Sequence, residues 1–293
     1  MGDINKRILV HVAAVALCCT LLLTPLVQHP AAAATVAINN VPYIHQVYDT
    51  PDWFNGNWAC GATSAMMALA YYGILPYWDC TVSVPYPHVS HWGRYICEIY
   101  TFNGHTYDIG SVDPSGNTGY GGYGYITQNN WEDTKGHMAE YATYHGLGSG
   151  VDWSPAWGEL TAEIDSGHPV VLLTSLTSAG HYVLAVGYYT NQYSVVINDP
   201  YGNKNQGYMN YNGAYVTYDW PGYDYGNSNL NTLHCFIYMR HAPPAPTLDS
   251  AYNAQSFSAV MEAGSQYTVW VEYKNTGTAT WTPGGSNPVR LGT

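Results

Sequence analysis

The chain has 293 residues and a formal net charge of −12, with 20 acidic against 8 basic side chains. That balance leaves no cationic footprint for a phosphate backbone and excludes nucleic acid as a partner. Only 10% of the residues are charged while Tyr (29) and Gly (30) abound, so the surface is polar and neutral in the style of an exported protein, and the length suffices for a well-buried domain.

In chain order, Lys6 and Arg7 precede an apolar run over residues 8–27, and Pro30-Ala31-Ala32-Ala33-Ala34 offers small residues in an A-x-A arrangement. This pattern predicts a secretory signal over residues 1–34, cleaved after Ala34, and hence a secreted or extracellular protein. The run is also long enough to just span a bilayer, so an uncleaved anchor with cell-surface display is the alternative. Cleavage removes Cys18 and Cys19 and leaves Cys60, Cys80, Cys97 and Cys235. If Cys60 stays free, Cys80–Cys97 is the nearest remaining pair, though sequence does not fix the pairing.

Residues 38–46 read as a short entering strand or extended arm held open by Pro42, and residues 49–57 as a loop. A helix is predicted from Cys60 through Ala, Met and Leu to a stop at Gly73. A cysteine in the first turn of a helix meets the positive end of the macrodipole and unpaired N–H groups, and both favour thiolate. Residues 74–130 are rich in Pro, Gly, Tyr and Asn, and the Gly-Tyr patch at 119–125 reads equally as groove lining or as a solvated loop. Helices are predicted over 131–145, ending at Gly146, and from Ser154 as N-cap with Pro155 at N1 to Gly167. Strands follow at 169–174, 181–189 and 193–198, then a loop over 200–230 and a last strand at 233–239.

Residues 35–240 form one predicted domain, and the proline-rich stretch 241–249 reads as a semi-rigid linker. Beyond it, residues 265–273 (SQYTVWVEY) alternate like a half-buried strand and Asn275-Thr276-Gly277 reads as a turn. Residues 250–293 are expected to be the opening of a β-sandwich, too short to be whole and therefore truncated.

Thiol-based hydrolysis needs a thiolate, an imidazole, a group that orients the imidazole, and donors for the oxyanion. Cys60 supplies the first. His181 follows Gly180 at a strand start, and Asp199 stands at the end of the next strand in Asn198-Asp199-Pro200. Their spacing suits a hairpin-like pair with both residues near the same end. Gln46 and the Cys60 N–H are the natural oxyanion donors. Taken singly, each of these residues fits a structural role; the order and context together point to catalysis.

Gln46, Cys60-Gly61-Ala62-Thr63-Ser64, the run from Gly180 to Tyr188 and Asn198-Asp199-Pro200 together resemble the C39-like cysteine peptidases, a branch of the papain-like fold. The resemblance spans residues 41–239. It implies an α+β fold in which an N-terminal helix carries the cysteine and an antiparallel sheet carries His and Asp. It also implies Cys60 as nucleophile, His181 as general base and then acid, Asp199 as orienter, Gln46 in the oxyanion hole, a peptide or protein substrate, and no cofactor. Ala62 departs from the Pro usual after Cys-Gly and leaves these roles intact. Trp270, Lys274-Asn275-Thr276-Gly277 and Trp281 resemble the start of an immunoglobulin-like four-tryptophan domain, which implies association with a partner or the cell surface.

The same machinery would serve a cell-wall peptide amidase or an acyl transferase, and a groove that has lost catalysis would serve as an extracellular polysaccharide- or protein-binding module. Parallel digests of casein and peptidoglycan separate the first two from a peptidase, and the reactivity of Cys60 separates the third. His88-x-x-His91 is a weak zinc candidate because Pro85 and Pro87 argue for loop, and no ligand set accompanies it. Asp108, Asp113 and Asn117 lack the spacing of a calcium loop and read as turn formers. The glycines at 119–124 lack the lysine of a phosphate-binding loop.

Overall fold

The structure, a computed structural model, describes residues 35–241, 250–256, 264, 266, 268 and 270–276. The expected signal segment, most of the linker and Trp281 lie outside the described residues.

Helix α1 (Cys60–Tyr71) is buried on every side from Gly61 to Ala70, as its Ala, Met and Leu content requires, and it ends before Gly73 at φ +64°. It packs against a seven-stranded antiparallel sheet. The sheet's first strand is β1 (Thr35–Ala37). The segment between α1 and the rest of the sheet holds three small hairpins: β2 (Cys80–Val82) with β3 (His88–Ser90), β4 (Tyr100–Phe102) with β5 (His105–Tyr107), and β6 (Ser111–Val112) with β7 (Thr118–Gly119). It also holds helices α2 (Gly93–Cys97) and α3 (Gly121–Thr127). Then follow α4 (Thr134–Tyr144), β8 (Leu147–Asp152), α5 (Trp157–Asp165), β9 (Val170–Thr174), β10 (His181–Tyr189), β11 (Ser194–Asn198), β12 (Val216–Asp219) and β13 (Leu233–His241).

The sheet order is β12-β11-β10-β9-β13-β8, with β1 also paired to β10. β9, β10 and β11 read VVLLT, HYVLAVGYY and SVVIN, continuous apolar runs rather than alternations. Such runs belong to strands covered on both faces, and α1, α4 and α5 all pack on this sheet. The β10–β11 hairpin aligns Leu184 with Asn198, which brings the start of β10 and the end of β11 to one edge.

Several expectations need correction. Of the two readings of residues 38–46 the strand fails and the extended arm holds; the entering strand is β1, just before it. α4 starts at Thr134 rather than 131, with the Asp133 side chain accepting the Gly136 N–H as its cap. α5 starts at Trp157 rather than at Pro155, so Ala156 rather than Ser154 is the N-cap, and the Glu159 carboxylate in the first turn accepts the Ala156 N–H. β12 forms within the expected 200–230 loop, where it is short and isolated among Asn and Gly, and β8, interrupted by glycines, is a strand that no sequence signal marks. Of the two readings of the Gly-Tyr patch the solvated loop fails, since α3 is buried throughout, while Tyr123 lines a cleft. Its glycines permit close approach: a Cβ at Gly124 would lie 1.9 Å from the Ile109 carbonyl oxygen.

All four described cysteines are free thiols, so the expected Cys80–Cys97 bridge is absent. Cys97 Sγ instead lies 3.7 Å from the Gly93 carbonyl, and burial pushes its thiol well up. Burial likewise pushes Cys235 up to about 11. C-terminal to the linker, β14 (Ser250–Gln255) pairs antiparallel with β15 (Val271–Asn275). The strand expected over 265–273 is thus shifted toward the C-terminus, and Asn275 lies within it rather than in a turn.

Candidate active site

The cysteine is set by the way α1 begins. A 3-10 turn, Gly56–Trp58, leads into Ala59, which occupies the N-cap position with no side chain able to accept a hydrogen bond. Cys60 is therefore the first residue of an uncapped helix, beside N–H groups that have no intrahelical partner. A helix that buries all its other faces exposes only this tip, and Cys60 is the partly exposed member of α1's first turn.

His181 opens β10 and Asp199 follows the last residue of β11, so the hairpin brings them together. His181 Nε2 lies 2.7 Å from Asp199 Oδ1, with both side chains buried. That leaves Nδ1 open on a cleft that Cys60 also lines, with the Cys60 sulfur near enough to act on the imidazole's charge. Burial works against a charged ring here. The Asp199 carboxylate and the Cys60 sulfur outweigh it and push His181 up to about 10.

Gln46 sits in a turn held by its own neighbours. The Gln46 N–H donates to the Pro200 carbonyl at 2.8 Å, tying this turn to the residue after Asp199. Its side-chain Nε2 donates to the Gly56 carbonyl at 2.8 Å, which fixes the amide's orientation and leaves its second N–H for the cleft, while the buried Oε1 has no partner. A Cβ at Gly56 would lie 1.6 Å from the Gln46 carbonyl oxygen, so only glycine lets the turn before α1 close on Gln46. The structure thus brings all four sequence-predicted residues, Cys60, His181, Asp199 and Gln46, to one place.

Gln46, Cys60 and His181 open on a cleft of about 510 Å³. Its walls are mainly apolar: Trp58 and Trp131 meet edge to face at 5.9 Å, and Tyr123, Ile126 and Tyr182 continue the lining. Lys135 at the start of α4 adds a cation. None of these wall residues was singled out from sequence. Lys135 lies in a helix recognised only by periodicity and Trp131 in the segment just before it, while Tyr123 belongs to the Gly-Tyr patch and Ile126 follows it, where a tyrosine-rich stretch carries no sign of which rings face a cleft.

The sequence profile of the Peptidase_C39 like family matches residues 38–226, which include every residue just described. The chain belongs to this family. Membership gives it a cysteine-peptidase-like function, and the matched span ends within the domain that carries the sheet. Among solved structures, the chain is similar to a crystal structure from Bacillus anthracis described as that of a C39-like peptidase, at 18% identity and a TM-score of 0.40, covering 70% of this chain and 97% of that one. A comparison with curated proteins finds no match.

The remaining candidates have other employment. His88 Nε2 pairs with Asp49 Oδ1 at 2.9 Å and His91 Nδ1 with Asp79 Oδ1 at 2.7 Å, so the two histidines of His88-x-x-His91 serve separate carboxylates. Asp113 Oδ1 accepts the N–H groups of Ser115 and Asn117, closing a turn. Among the described residues no group of three or more His, Cys, Asp or Glu side chains could hold a metal ion.

Proposed function

We propose that the protein is an exported cysteine peptidase of papain-like architecture, hydrolysing peptide bonds through Cys60, His181 and Asp199. The observation that carries the reading is the imidazole of His181, bonded to Asp199 at 2.7 Å through Nε2 and lining the same cleft as Cys60. The elevated His181 favours an imidazolium, the partner that an ion-paired cysteine nucleophile needs. The basic-then-apolar start of the chain and its low charge support export.

In the first half-reaction the Cys60 sulfur attacks the scissile carbonyl carbon, and the C=O electron pair moves to oxygen. The free N–H of Gln46 and the Cys60 backbone N–H stabilise that oxyanion. His181 gives its Nδ1 proton to the departing amine as the C–N bond breaks, leaving a thioester and a neutral imidazole. In the second, the imidazole takes a proton from a water whose oxygen attacks the thioester. Collapse releases the carboxylic acid, and the sulfur leaves as thiolate beside the regenerated imidazolium. Asp199 keeps the ring oriented throughout and transfers no proton. The apolar walls suit a peptide bearing large apolar side chains next to the scissile bond.

The test is hydrolysis of a mixed peptide library and of casein, beside purified peptidoglycan, by the wild type and by Cys60→Ala. The expected result is peptide cleavage with a thioester on Cys60 trapped by mass spectrometry, and background activity in the variant. Wild-type turnover by Cys60→Ala would sink the proposal. Release of peptides from peptidoglycan alone would replace peptidase with cell-wall amidase.

A further inference from the structure

Asp199 is fully buried, and both of its oxygens are occupied. Oδ1 accepts from His181 Nε2 at 2.7 Å and from the Tyr201 N–H at 3.0 Å. Oδ2 faces away from the imidazole, and there it accepts from the Tyr218 hydroxyl at 2.8 Å. We propose that Tyr218 is a positioning residue for catalysis: its hydroxyl clamps the second oxygen of Asp199 so that the first stays on His181. This inference rests on the cysteine-peptidase reading above.

The direction of the Tyr218 bond follows from counting donors. A phenol has one proton and can accept from others. The Lys204 N–H already donates to the Tyr218 oxygen at 2.9 Å, so the phenol's own proton is the group it has left to give. Two acceptors compete for it: Asp199 Oδ2 at 2.8 Å and the Gly202 carbonyl at 3.4 Å. The nearer acceptor is also the charged one, and hydrogen bonds to charged groups are the stronger. Burial and the neighbouring Asp199 charge push the phenol well up, so it remains a donor across the working range of pH.

The clamp is also rigid. Tyr218 is fully buried on β12 and paired with Val195 of β11, the strand that ends at Asp199. A carboxylate held at one oxygen only can swing about its terminal torsion, which is a soft, broad well. Held at both, it cannot, and the imidazole it orients is held with it. Tyr218 does not line the cleft, so it acts on substrate only through Asp199 and His181.

Tyr218→Phe keeps the buried ring and removes only the clamp. The expected result is a loss of about tenfold in kcat with KM within about twofold of wild type, after normalising to folded enzyme by active-site titration. The rate of Cys60 alkylation by iodoacetamide should fall in step. Wild-type kcat per folded molecule, or a KM effect without a kcat effect, overturns the proposal. If Tyr218→Phe does not fold, 3-fluorotyrosine at position 218 keeps the ring and strengthens the donor. The Nε2 proton resonance of His181 should then move upfield as Asp199 gives up charge to the stronger clamp, and an unmoved resonance overturns the proposal. Failure here is distinct from failure of the peptidase reading, because it leaves wild-type hydrolysis and its loss in Cys60→Ala untouched.

Discussion

Two of the three histidine–aspartate pairs among the described residues are built almost alike, and they differ in what the second ring nitrogen meets. In both, His Nε2 bonds Asp Oδ1, at 2.7 Å for His181–Asp199 and 2.9 Å for His88–Asp49. In both, a tyrosine hydroxyl also donates to the carboxylate: Tyr218 to Asp199 at 2.8 Å and Tyr211 to Asp49 at 2.6 Å. Both histidines are raised against the opposing effect of burial. But His88 Nδ1 is spent on the Tyr86 carbonyl at 2.7 Å, whereas His181 Nδ1 is left for a cysteine at a helix tip. The remaining Asp49 oxygen accepts the His45 N–H at 2.6 Å, so this pair fastens the turn next to Gln46. A raised imidazole beside a carboxylate is therefore not by itself a catalytic group. An open nitrogen facing a nucleophile in a cleft is what separates the two.

The largest effect should come from removing the imidazole that faces sulfur. His181→Ala is expected to lower kcat/KM by about 10³-fold and Asp199→Ala by about 10²-fold, measured on one peptide substrate, because in the proposed mechanism the first transfers protons and the second orients. Equal losses would contradict that division of labour. Gly56→Ala pushes a methyl group into the Gln46 carbonyl and should cost about 10²-fold in kcat by shifting the proposed oxyanion donor, a loss that Gln46→Ala should match.

Much of this was legible before any coordinates. The helix at Cys60 announces itself by composition and by a glycine stop, and β9 to β11 are apolar runs that admit no other reading. His181 and Asp199 stand at their ends, so finding those strands located the pair. Tyr218 was out of reach, because its strand is four residues long in an Asn-Gly-Tyr stretch and a buried phenol reads like any other tyrosine. Gly121 to Thr127 was legible only in part, with groove lining and solvated loop reading equally there. Glycine there serves close packing against backbone, yet in sequence it signals a loop.

The second pair should show itself in stability. His88→Gln is expected to leave kcat/KM within about threefold of wild type and to lower the unfolding midpoint. His88 is raised in the folded state above its ordinary 6.5. Its contribution is therefore fully present below pH 6.5 and lost as pH rises through the folded value. The difference between wild type and His88→Gln should fade with rising pH in denaturant titrations.

His45 and His145 work in the other direction. Burial lowers each to about 4. Their neutral forms thus contribute stability that is complete above pH 6.5 and lost as pH falls toward 4, up to about 3 kcal/mol each. His45 Nδ1 accepts the N–H groups of Val47 and Tyr48 in the Gln46 turn, so acid should cost activity before global unfolding.

The most direct test of the distinction between the two pairs is a pH titration of histidine side-chain nitrogens by NMR in protein labelled with ¹⁵N-histidine. His181 is expected to hold protons on both nitrogens through neutral pH and to lose one only near pH 10, and in Cys60→Ala its titration should move to lower pH. A His181 ring already neutral at pH 7, or one whose titration ignores the loss of Cys60, would contradict the proton-sharing unit on which the proposed chemistry depends.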